Sequence, residues 1–205
     1  STGQISSTVL LMVTGLQEGS MNTSRVKAMV KAMLKNEMSG GDMRMYDVLK
    51  IAEKFEIDGY KFYNEKKREV KSKAVTEIFE HLAIMEKEHT AFIRRLMEDL
   101  ENGREISSLP NEMENPFVQR YEGQKLDATN PEDDLMDLSV LRMAYLIEKD
   151  FVEFYAKAAE HEENPEVKKV LNLLSTWEEG HRKLIEKQME TIMERNNLDL
   201  GFYPF

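Results

Sequence analysis

The sequence predicts an all-α fold: a four-helix bundle of two pseudo-symmetric hairpins with one long crossover, preceded by a short N-terminal helix. Apolar residues recur at helical spacing over four long stretches. Glycine and Asn-Pro pairs cut those stretches where helices should stop and start. The two halves of the bundle repeat each other at a constant offset of 92 residues, which makes one hairpin a copy of the other.

Residues 1–20, "STGQISSTVLLMVTGLQEGS", contain no Lys or Arg. Their apolar run is too short to span a bilayer and lacks the basic start of a secretory signal. This segment is expected to be an N-terminal arm or a cloning remnant. Residues 21–41 place Val26, Met29, Val30, Met33 and Leu34 on one face, behind an Asn-Thr-Ser cap and before Gly40-Gly41. They predict a short amphipathic helix whose methionines serve packing.

Four longer helices are expected at roughly 42–70, 73–102, 131–161 and 165–195. Gly103 stops the second, while Asn130-Pro131 and Asn164-Pro165 open the third and fourth with Pro at the first helical position. The bundle is thus expected over 42–197, with residues 198–205, "LDLGFYPF", as an aromatic tail suited to burial on its own bundle or, by preference, to a homodimer contact. The joints near Lys71 and Glu163 are tight, so helices one and two form one hairpin and three and four another. A 30-residue helix is about 45 Å long, and the 27 residues from Gly103 to Thr129 reach about 90 Å when extended. That is enough for a crossover along the whole bundle.

Composition narrows the chemistry. The chain has 38 Asp and Glu against 28 Lys and Arg, a net charge of −10, and so no footprint for nucleic acid. It has no cysteine, which excludes disulfides, thiolate nucleophiles, Cys-bound zinc and iron–sulfur clusters within this sequence. A transition metal would rely on carboxylate and imidazole. With no signal or membrane span, a cytoplasmic location is the default expectation.

The repeat identifies the candidate residues. Val48, Leu49, Ala52, Phe62, Tyr63, Leu82 and Ile93 match Val140, Leu141, Ala144, Phe154, Tyr155, Leu174 and Ile185. Among the polar matches are Glu56 with Glu148, Glu86 with Glu178 and His89 with His181. Glu56 to Glu86 and Glu148 to Glu178 each span 30 residues, centred on Lys71 and Glu163. Residues equidistant from a hairpin turn lie level, so Glu56 should face Glu86 and Glu148 should face Glu178. Glu and His at i and i+3 project from one helix face, and apolar neighbours put that face inside. Four buried carboxylates would repel one another and carry a heavy desolvation cost. Two divalent cations would neutralise them, and two imidazoles would complete the set.

One Glu from each of two helices plus Glu-x-x-His from each of the other two marks ferritin-like di-metal carboxylate proteins. The paired segments "EIDGYKFY" (56–63) and "EKDFVEFY" (148–155), with "IFEHLAIMEKEH" (78–89) and "VLNLLSTWEEGH" (170–181), resemble the rubrerythrin family of that group. The resemblance covers about 42–195 and implies two iron ions, with manganese or a mixed pair as the alternative. Their ligands would be Glu56, Glu86, His89, Glu148, Glu178 and His181. It further implies a non-haem redox protein that reduces hydrogen peroxide or dioxygen. The sequence has no CxxC pairs and hence no rubredoxin domain, so an external donor such as a rubredoxin-like protein would supply electrons. Iron oxidation for storage, or a metal-stabilised structural bundle without turnover, are the alternatives.

Tyr63 and Tyr155 stand two turns past Glu56 and Glu148 and either hydrogen-bond the ligating carboxylates or simply pack the core. His81 is matched by Leu173 and is expected at the surface or the core edge. His161 is expected to interact with a helix C-terminus. Asp58 and Asp150 are expected to point outward. Peroxidase-type rubrerythrins carry a further carboxylate one turn past the helix-three ligand, where this chain has Phe151, with Gly59 at the equivalent place on helix one. Glu53 is either a seventh inward carboxylate or an exposed, salt-bridging residue.

Overall fold

The computed structural model describes residues 45–104 and 130–197. The expectations for 1–20, 21–41, the crossover and the tail 198–205 lie outside those residues. Among the described residues four helices occur where the punctuation places them: α1 (Met45–Lys66), α2 (Lys73–Glu101), α3 (Pro131–His161) and α4 (Pro165–Arg195). The described residues contain no strand. Ser72 caps α2 by accepting from the Val75 amide, Asn130 caps α3 through Asp133, and Asn164 caps α4 through Glu166 and Val167. Each cap satisfies amides that the first helical turn leaves without partners.

Contacts fix the directions. Tyr63 reaches Glu148 while Tyr155 reaches Glu56, so α1 and α3 run antiparallel. His89 approaches Glu178 while His181 approaches Glu86, so α2 and α4 do too. With each hairpin also antiparallel, α2 and α3 run parallel. The helix ends flanking residues 105–129 therefore lie at opposite ends of the bundle.

The core follows the repeat. Leu49 and Leu141, Ala52 and Ala144, Leu82 and Leu174, and Ile93 and Ile185 are all 0% exposed. Each such leucine or isoleucine contributes roughly 1.5–3 kcal/mol through burial. Asp137 departs from the repeat. The buried Asp137 carboxylate accepts from the backbone amides of Lys71 and Ser72, at 2.7 and 2.8 Å, and so holds the α1–α2 turn against the start of α3. Its place in the 92-residue repeat is taken by Met45 on α1. Asp137→Ala should leave those amides short of acceptors and lower unfolding stability by about 2 kcal/mol, measured by urea denaturation. Asp134, next to it, binds Arg195 and Asn196 and ties α3 to the end of α4.

Candidate metal centre

Side chains from all four helices converge in the middle of the bundle. Glu56 comes from α1, Glu86 and His89 from α2, Glu148 from α3, and Glu178 and His181 from α4. Their ligand-type atoms form two groups, each within 4.8 Å: Glu56, Glu86, His89 and Glu178, and Glu86, Glu148, Glu178 and His181. Glu86 and Glu178 belong to both groups, Glu56 and Glu148 to one each. This division into shared and single carboxylates could not be read from the spacing. It arises because the two Glu-x-x-His helices face each other, so each glutamate reaches across to the opposite histidine.

The distances make the sharing concrete. His89 Nδ1 lies 3.1 Å from Glu56, 3.4 Å from Glu178 and 3.6 Å from Glu86. His181 Nδ1 lies 3.2 Å from both Glu86 and Glu178 and 3.7 Å from Glu148. The two imidazoles stack with centroids 5.2 Å apart and planes within 7°. Gly59 lets this arrangement close: a Cβ there would stand 3.2 Å from Glu86 Cδ. Glycine inside a helix costs roughly 0.5–1 kcal/mol relative to alanine, and the space it leaves goes to a shared carboxylate.

The tyrosines cross between hairpins. The Tyr155 hydroxyl on α3 donates to Glu56 at 2.5 Å, and the Tyr63 hydroxyl on α1 donates to Glu148. Of the two readings the sequence left open, hydrogen bonding to the carboxylates holds, and each tyrosine reaches the glutamate of the other hairpin because α1 and α3 are antiparallel. Burial, then the facing glutamates, raises both phenols well above their ordinary value, so both remain donors. Tyr155→Phe or Tyr63→Phe should each cost about 1–2 kcal/mol of stability and weaken metal binding ~10–100-fold, read by denaturation and metal titration.

Protons balance the cluster's charge. Burial, then the Glu178 and Glu86 charges, raises the Glu56 carboxyl well above its usual range. Glu148 rises likewise through burial and Glu178. Burial opposes ionisation of Glu178 and Glu86 too, but His181 and His89 outweigh it and hold both below that range. Burial also disfavours both imidazolium forms, and the surrounding carboxylates overcome it, raising His89 and His181 well above the ordinary histidine value.

Hydrogen bonds leave much of this set without partners. Both oxygens of Glu86 and of Glu178, one oxygen of Glu148 and both ring nitrogens of His181 are buried with no hydrogen bond. An orphaned, buried, acceptor-rich set of this kind is costly alone and suits a cation bound by oxygen and imidazole nitrogen. The residues therefore fit a dinuclear metal site. A family model described as Rubrerythrin matches residues 47–189.

The chain belongs to the rubrerythrin family. A solved structure titled as a hypothetical protein from Pyrococcus furiosus is similar at 25% identity with a TM-score of 0.55, covering 78% of this chain and 96% of that one. No curated protein matches. The rubrerythrin match spans all four helices nearly to the end of α4 and so contains all six converging residues.

His81 is partly buried and belongs to neither group, and His161 is exposed in the last turn of α3. Glu53 binds Arg94 at 2.7 Å and Lys50 at 3.4 Å, so it is a salt-bridging residue and not a seventh inward carboxylate. Asp58 is partly exposed and pairs with Lys54 and Lys61. Asp150 corrects the outward expectation: it is buried. The buried arc of α3, widened by Ile147, Phe151 and Phe154, extends to it. Phe151 stacks on Phe55 at 4.9 Å and is wholly buried. Sequence reasoning missed the Asp137 clamp, although an acid four residues before Leu141 on an apolar stripe was a signal. It also missed that Trp177 stacks across on His89 of the other hairpin.

Proposed function

We propose that the protein is a non-haem di-iron oxidoreductase of rubrerythrin type, reducing hydrogen peroxide or dioxygen with electrons from a separate donor. The observation that carries this reading is the pair of buried ligand groups sharing Glu86 and Glu178, most of whose oxygens have no hydrogen bond. Iron bound there would supply the electrons that reduce the oxidant; manganese or a mixed pair suits the same donors. Glu86 and Glu178 would each serve both ions, while Glu56 with His89 and Glu148 with His181 would each serve one. Tyr155 and Tyr63 would orient the single carboxylates and keep them from rotating. The four carboxylates are 0% exposed, and removal from bulk water strengthens electrostatic interactions among them.

The test is anaerobic loading with ferrous iron followed by hydrogen peroxide and then a reductant. Rapid iron oxidation, seen as a rise in near-ultraviolet absorption, followed by repeated turnover, is expected. Glu56→Ala and Glu148→Ala should lose turnover while circular dichroism shows them folded. Iron oxidation without reductant-driven turnover would point to iron handling instead. No reaction with peroxide or dioxygen would remove the redox reading.

A further inference from the structure

All but one of the six converging side chains are sealed from solvent. Glu56, Glu86, Glu148 and Glu178 are 0% exposed and His181 is 1% exposed, whereas His89 is 6% exposed. Against one face of that imidazole lies Trp177, the one tryptophan of the chain, partly exposed on α4. Its ring stacks on the His89 imidazole with centroids 4.5 Å apart and planes within 14°. Phe92 meets the indole edge-on at 5.3 Å, an arrangement that holds a ring in place. The repeat puts Met85 at the position equivalent to Trp177, a flexible chain in place of a rigid plate.

We propose that Trp177 is the gate of the site, a specificity-determining residue that lets metal ions and small oxidants pass the His89 edge and holds back bulky peroxides and chelators. The inference rests on the di-iron reading above. The indole blocks the least buried of the six residues with a large, stiff surface pinned from the side by Phe92. Hydrogen peroxide or dioxygen needs only a small displacement of the ring to pass. A branched alkyl hydroperoxide or a flat bidentate chelator needs the ring to leave its stack. Ring bulk is the property used, not charge or hydrogen bonding, so phenylalanine should retain most of the effect and alanine none.

The experiment loads the full chain anaerobically with ferrous iron and measures iron release to excess 2,2′-bipyridine. Trp177→Ala should release iron at least about tenfold faster than the wild type. Trp177→Phe should stay near the wild-type rate, as should Ile192→Ala, which truncates a fully buried side chain about four turns along α4. In parallel, the preference for hydrogen peroxide over tert-butyl hydroperoxide, taken as the ratio of iron-oxidation rates, should fall by about tenfold in Trp177→Ala. If Trp177→Ala binds two ions yet matches the wild type in both release and selectivity, the gate is overturned and the di-iron reading stands. If Ile192→Ala releases iron as fast as Trp177→Ala, loosening of the bundle sets the rate and the gate is again overturned. A wild-type chain that takes up no iron overturns both.

Discussion

Glu86→Ala should empty both metal positions at once, and Glu178→Ala should do the same, whereas Glu56→Ala or Glu148→Ala should each leave one ion bound. The asymmetry follows from membership of the two ligand groups: Glu86 and Glu178 occur in both, Glu56 and Glu148 in one each. Losing a shared carboxylate removes charge and a donor from both ions, so affinity should fall by more than the ~100-fold upper range seen for outer partners. Losing Glu56 leaves the Glu86, Glu148, Glu178 and His181 group intact. Metal analysis after anaerobic loading and desalting reads the stoichiometry directly. The fold should survive each change, because the apolar core built from the repeated leucines and isoleucines is left untouched. Four variants with equal residual metal would contradict the shared role of Glu86 and Glu178.

Opposite pH dependences are expected for the metal-free and metal-loaded protein. His89 and His181 are raised above the ordinary histidine value, and Glu56 and Glu148 above the usual carboxylate value. Each of these groups keeps its proton in the folded state at a pH where the unfolded chain has lost it. The folded state then binds more protons, so the stability of the metal-free protein falls as pH rises from about 5 through 8. Glu86 and Glu178 shift downward. Their contribution is present above the unfolded carboxylate pKa and is lost only as pH falls toward their depressed values. Divalent ions replace protons on these raised groups, so loading should release protons. Metal-loaded stability should therefore rise over the same range. Saturation at a thousandfold excess over Kd adds about 4 kcal/mol per ion, each such increment raising Tm by about 10 °C for a chain of this size. Calorimetry at several pH values checks both limbs, and a metal-free Tm that climbed from pH 5 to 8 would contradict the proton balance.

Much of this architecture was legible because the chain states it twice. Glu56 and Glu86 alone are two acids in a chain with 38, but their copies at Glu148 and Glu178, equidistant from a second turn, turned a coincidence into geometry. The same comparison placed Leu49 with Leu141 and Ile93 with Ile185 in one core, and all four are 0% exposed. What escaped was whatever depends on how one hairpin sits against the other. The crossing of Tyr63 to Glu148 and Tyr155 to Glu56, the sharing of Glu86 and Glu178, and the Trp177–His89 stack are all contacts between hairpins. Spacing within a hairpin carries no information about them. Asp137 escaped for a related reason: its partners are backbone amides of the other hairpin's turn, which no side-chain pattern reveals. Asp150 was misplaced because a helix packed along a wide arc buries positions that a single-stripe picture leaves outside.

The most direct test of the dinuclear site is an anomalous-scattering map at the iron edge from crystals of the iron-loaded protein. Two peaks are expected, one beside Glu56 and His89 and one beside Glu148 and His181, with Glu86 and Glu178 adjoining both. A single peak, or peaks away from these six side chains, would contradict it.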